Sequence, residues 1–308
     1  MVGQITYVIV LAADRIALAL ILSLSLAALW LASVSSQRDG ELRLRLLWAC
    51  LAITAVGAAV ELLMRSAALA DVSPTVAWSF IPRVLTHSDY GFFWLVRLAL
   101  WALMLVMAAW ISRHGWLKLA AVVLLLSVLV TMLTLSVTGH AGEDGLWAVP
   151  NLVNWLHIIG TSLWGGTVIL FALIVLPVLW RGTAMTQQLA EVSTRLSTLA
   201  TVALIVVLVT GTYNSWHQLG KPADLWQTTY GVILLGKLAL VAIMMSVGAM
   251  NRFVLVPRLQ AWRDGPDHGS DAVAALFLKV LRVDSLVFTA VIVFALVLAM
   301  QSPPSHGM

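Results

Sequence analysis

The chain has 308 residues, 61% of them hydrophobic and 10% charged, with a net charge of +4. Soluble domains carry about 25% charged residues, so a chain this depleted cannot cover itself with polar surface in water, and its mean hydropathy of +0.97 points to lipid as its solvent. The single cysteine, Cys50, excludes an internal disulfide and any CxxC metal or redox motif, and the small net charge gives no footing for a nucleic-acid partner.

A bilayer core of about 30 Å asks for about 20 mostly apolar residues per helix. Eight runs meet that requirement: 5–34, 42–68, 89–112, 116–138, 149–180, 190–216, 228–256 and 273–300. Each is expected to be helical, because backbone groups in lipid need internal partners. The predicted fold class is all-α, a polytopic membrane protein built as a bundle of eight transmembrane helices. It divides into an N-terminal four-helix half, 1–134, and a C-terminal half, 135–308, whose helices bear histidines. No basic segment precedes the first run, which therefore reads as a retained helix and not a cleaved signal peptide. The 69–88 connection, with Pro74, Trp78, Phe80 and Pro82, reads as a short segment lying along the interface. The fifth run is overlong and is expected to tilt or project from the bilayer. No internal repeat is evident.

Charge sorts the connections. Arg38, Arg43 and Arg45 follow the first run, and Arg113 and Lys118 separate the third from the fourth. Arg181 and Arg195 flank the fifth-to-sixth connection; Arg252, Arg258, Arg263, Lys279 and Arg282 surround the seventh-to-eighth. The alternate connections are poor in Lys and Arg. The positive-inside rule then puts both termini outside the cytoplasm, which is the periplasm in a Gram-negative host. His87, His140, His217 and His306 fall on that outer side, while His114 and His268 fall on the inner side. His87, His114, His268 and His306 read as ordinary loop histidines.

The fifth run carries a polar stripe, Asn151, Asn154, His157 and Thr161, at three- or four-residue steps. Such a stripe in a lipid-soluble helix should face other helices or a water-filled cavity. His157 lies about two turns below the outer surface, and an ionisable group at that depth points to a role. His140 ends the fourth run, and a short turn joins it to the fifth, so its imidazole converges with that of His157 if His157 faces the fourth helix. Met132 lies about two turns deeper than His140 on a similar face. The sixth run ends in Thr210, Tyr213, Asn214 and His217 on one face. Imidazole suits both copper oxidation states and thioether favours Cu(I), so His140, His157, His217 and Met132 form a candidate copper site. Met104, Met107, Met244 and Met245 are candidates for weaker, later stations. Haem b held by paired histidines is the alternative cofactor.

The intramembrane charges need partners inside the bundle. Glu61 and Arg65 are spaced to pair along one helix, and Arg195 and Asp284, both near the inner surface, are expected to pair between helices. Asp14, Arg15, Arg97 and Lys237 lie within spans.

The stretches "RLSTLATVALIVVLVTGTYNSW" and "DLWQTTYGVILLGKLALVAIMMSVGAMNRFVLVPRL", followed by "LKVLRVDSLV", resemble the copper resistance protein D (CopD/PcoD) family. "GHA" and "LHIIGTSLWGG" look like the upstream part of the same pattern, and residues 1–130 match mainly in their hydrophobic layout. Asp284 stands where the family often has a glutamate. The resemblance implies a multi-pass inner-membrane protein of copper uptake or homeostasis, not an enzyme, with a periplasmic copper carrier as a partner besides the lipid bilayer. His140 and His157 stand within matching motifs. Three functions compete: a copper transporter, a haem b-binding membrane oxidoreductase, and a scaffold that delivers copper without transporting it. The chain carries no P-loop lysine motif, so transport would follow a gradient or couple to ions.

Overall fold

A computed structural model describes residues 2–30, 37–179, 185–263 and 270–304. Arg181, His268 and His306 lie outside the described residues. The protein is an all-α polytopic membrane protein: among the described residues, eight helices are long and apolar enough to cross a membrane. We number them α1 (Val2–Trp30), α2 (Gln37–Ala70), α3 (Asp89–His114), α4 (Lys118–Val137), α5 (Val149–Leu170), α6 (Met185–Gln218), α7 (Thr229–Met250) and α8 (Ser270–Ala299). The 69–88 connection contains a tight 3-10 turn, Ala77–Phe80, and a short helix, Ile81–His87.

The overlong fifth run has a local cause. After Leu170 the helix widens into one π-type turn, Phe171–Val175, before continuing as Leu176–Leu179. The seventh does the same through Asn251–Leu255 before Val256–Arg263. A proline follows each widening, Pro177 and Pro257. Its ring lacks an N–H and crowds the carbonyl four residues earlier, which falls within the widened turn in both cases.

α1 and α5 form the centre of the bundle. α1 packs on α2, α4, α5 and α8, while α5 packs on α1, α4, α6 and α8. Small residues along α1, including Ala17, Ala19, Ser23 and Ser25, are buried and let neighbours approach closely. Ser23 and Ser25 donate to carbonyls of their own helix, Ala19 and Ile21, at 2.8 Å each. α3 and α7 occupy the periphery, α3 against α2 and α4 and α7 chiefly against α8.

The structure brings out an internal repeat that is not evident in the sequence alone. "SDYGFFWLVRLAL" (88–100) and "TTYGVILLGKLAL" (228–240) open α3 and α7 in the same way. Ser88 and Thr228 are the N-caps, and each hydroxyl accepts from a glycine amide, Gly91 or Gly231, at 3.0 Å. Each hydroxyl also donates one turn back, to Val84 or Asp224, at 2.7 and 2.6 Å. A Cβ on either glycine would collide with the backbone of the short helix before it. The likeness extends inward: Gly57 of α2 packs against Asp14 of α1, and Gly211 of α6 packs against His157 of α5. The first four spans and the last four thus share one local plan, with different polar side chains installed in it.

Candidate functional site

A cavity of about 1640 Å³ opens within the bundle, and all eight helices contribute to its wall. It reaches the 139–146 and 219–222 connections at one end and the buried side chains of Met132, Trp164 and Met244 toward the middle. Two polar assemblies face each other across it, one from each half of the chain.

The first assembly is ionic. Arg15 bonds Asp14 at 2.5 Å and Glu61 at 3.1 Å, and Arg97 bonds the other oxygen of Glu61 at 3.3 Å. Arg97 also donates to Thr138 Oγ1 at 2.7 Å, tying α3 to the end of α4. Glu61 is therefore clamped between two guanidiniums from different helices. This corrects the expected Glu61–Arg65 pair. Arg65 turns instead to the Thr138 carbonyl, at 2.6 Å, and to the face of the Tyr90 ring. The spacing along α2 permits the pair, but Arg15 of α1 and Arg97 of α3 take both Glu61 oxygens.

The expected Arg195–Asp284 pair also fails. Arg195 bonds Glu191, one turn earlier on α6, at 2.5 Å, and the Trp30 carbonyl at 2.8 Å. Asp284 is buried on α8, with one carboxylate oxygen lacking a hydrogen-bond partner among the described residues.

The second assembly is neutral and surrounds His157. The stripe on α5 is real, and its members divide between two neighbours. Asn154 donates to Ser136 of α4 at 2.9 Å and accepts from Asn214 of α6 at 3.2 Å. Ser136 in turn donates to the Asn151 carbonyl at 3.1 Å. His157 does not face α4: its Nδ1 lies 3.0 Å from Thr210 Oγ1 on α6. Gly211, the next residue, leaves room for the imidazole, and a Cβ there would stand 3.1 Å from His157 Cε1. Thr210 spends its own proton on the Val206 carbonyl at 2.5 Å. With that proton on Val206 its oxygen is an acceptor for an Nδ1–H of His157, an arrangement that favours the tautomer with the lone pair on Nε2.

Of the candidate ligands, Met132, His140 and His157 all line the large cavity. Met132 is buried in its wall. His140 is exposed on the turn after α4, where its Nδ1 lies 3.2 Å from Glu143. His217 is exposed, stacks on Tyr213, and lines a separate small crevice that it shares with His140. Among the described residues, no three His, Cys, Asp or Glu side chains group closely enough to hold a metal ion by themselves. A set of three protein ligands here needs the thioether. Of the methionines considered as later stations, Met244 lines the cavity, whereas Met104 is buried in the apolar core.

Sequence reasoning missed the role of Thr210, of Ser136, and of the Arg15–Glu61–Arg97 clamp. A signal for the first was present. Thr210 and Asn214 are four apart on α6, and Asn154 and His157 are three apart on α5, which is the complementary spacing for two antiparallel helices.

Comparison with known proteins places this geometry in a family. The copper resistance protein D-like N-terminal domain matches residues 2–149, and copper resistance protein D matches residues 190–298. The chain belongs to the copper resistance protein D family. Copper resistance protein D of Pseudomonas syringae pv. tomato is 29% identical over 184 residues, covering 58% of this chain and 57% of that protein. The chain thus spans less than two thirds of that relative's length. Inner membrane protein YebZ of Escherichia coli (strain K12) is 28% identical over 302 residues, covering 93% of this chain and 94% of that one. No solved structure matches. In this chain the clamp and the His157 cluster occupy equivalent places in the two halves.

Proposed function

We propose that this copper resistance protein D family member is an inner-membrane protein that binds copper for import or homeostasis, taking it from the periplasmic side into the large cavity. His157 is the central ligand in this reading, with Met132 and His140 on the same wall and His217 at the rim. A single observation carries the proposal: His157 Nδ1 lies 3.0 Å from a Thr210 hydroxyl that donates to the Val206 carbonyl, which favours an Nε2 lone pair for a soft cation, inside a cavity that Met132 also lines. Both termini are assigned to the periplasm on the distribution of Lys and Arg, and a periplasmic copper carrier is the natural donor.

The imidazole arrangement favours copper over haem b. Bis-histidine haem needs two rings opposed across the macrocycle. Here His157 turns to α6, while His140 stands on an exposed turn beside Glu143.

Metal analysis and an optical spectrum of the same purified sample test the reading. Wild-type protein should hold copper without a Soret band, and His157→Ala should lose most of that copper while keeping its helical content. A Soret band would establish the haem alternative, and unchanged copper in the variant would make His157 structural. Proteoliposomes then separate a transporter from a delivery scaffold: flux above that of empty vesicles marks transport, and its absence marks the scaffold.

A further inference from the structure

The internal repeat sets Lys237 of α7 in the place that Arg97 holds in α3, each at the same remove from its capped Tyr-Gly opening. The two cations meet different surroundings. Arg97 is answered by Glu61 and Thr138. Lys237 makes no hydrogen bond or ion pair with any described residue. The reason lies on α6. Measured from the matched glycines, Gly57 and Gly211, the position that supplies Glu61 in α2 supplies Ser215 in α6. The repeat has kept the cation and replaced its carboxylate by a hydroxyl.

Lys237 lies about 12 Å below the start of its helix, two turns into the span. It lines the cavity together with His157 and Ser215. The acids that share this wall are engaged or remote in the fold. Glu61 is clamped by two arginines, Asp89 belongs to the opening of α3, and Glu143 stands on the exposed turn with His140. An ammonium at this depth needs a counter-charge, and no described residue is ion-paired with it.

We propose that Lys237 and the Ser215 hydroxyl bind one small monovalent anion, of the size of chloride, in the cavity beside His157. One uncompensated ammonium sets the charge of the occupant at one. Its three N–H donors and the Ser215 hydroxyl, which lines the same cavity, supply the hydrogen bonds that a halide accepts. With the anion in place, the lysine no longer opposes a cation on the His157 side. The anion site does not require copper, so its test stands apart from that of the copper reading.

The test is a ³⁵Cl NMR line-width titration of full-length, copper-free protein in a non-ionic detergent. Wild type should show a saturable broadening that added bromide displaces. Lys237→Met should lose the saturable component, and Lys237→Arg should keep it. Lys237→Gln serves as the neutral variant if the methionine does not yield folded protein. The proposal is overturned by broadening that rises without saturating in the wild type. Saturable broadening that survives in a folded neutral variant overturns it equally.

Discussion

Replacing Thr210 with valine is the sharpest perturbation of the His157 cluster. Valine keeps the branched shape but deletes the oxygen that lies 3.0 Å from His157 Nδ1. The ring then loses that partner and can exchange tautomers, moving the proton onto the nitrogen that would carry the lone pair. Loss of such an orienting partner costs roughly 10–100-fold in metal affinity, or about 1.4–2.8 kcal/mol. The fold should lose only about 1 kcal/mol, the net worth of one hydrogen bond. The assay is competition for Cu(I) between purified protein and a colorimetric chelator, run on wild type, Thr210→Val, Thr210→Ser and His157→Ala. Affinity should fall in the order wild type and Thr210→Ser, then Thr210→Val, then His157→Ala. If Thr210→Val binds copper as tightly as wild type while His157→Ala does not, the hydroxyl does not orient the ring and the tautomer argument is wrong.

Glu61→Gln leaves Arg15 and Arg97 facing a neutral amide, and breaking a buried ion pair from one side should cost roughly 3 kcal/mol. Thermal unfolding in detergent reads that loss, and adding Arg97→Met should recover part of it, whereas adding Arg65→Met should not. Asn154→Leu removes the bonds to Ser136 and Asn214, and a double-mutant cycle with Asn214→Leu should show coupling of about 1 kcal/mol between α5 and α6. A Cβ at Gly165 would collide with the Phe288 ring. Gly165→Val should therefore destabilise by roughly 1–3 kcal/mol, with Phe288→Ala in the same chain restoring much of the unfolding temperature. Failure of that rescue would locate the strain elsewhere.

The eight spans, their helical state and the polar face of α5 were legible in the amino-acid order, because length, hydropathy and the helical period are local properties. The motifs that mark the family were equally legible. The internal repeat was hidden because little more than a capping hydroxyl, a Tyr-Gly pair and a cation recur between residues 88–100 and 228–240. It became visible as two identical cap geometries. Tertiary structure alone decided which groups meet. Spacing along α2 offered Arg65 to Glu61, yet the rotation of α1 and α3 brought Arg15 and Arg97 to it instead. Spacing along α5 put His157 on the face of Asn154, yet Gly211 opened room on α6 and the imidazole lies there, while Asn154 reaches Ser136 of α4. Periodicity defines a face; the rotation of each helix about its axis, and hence what that face touches, is settled by the packing of all eight helices together.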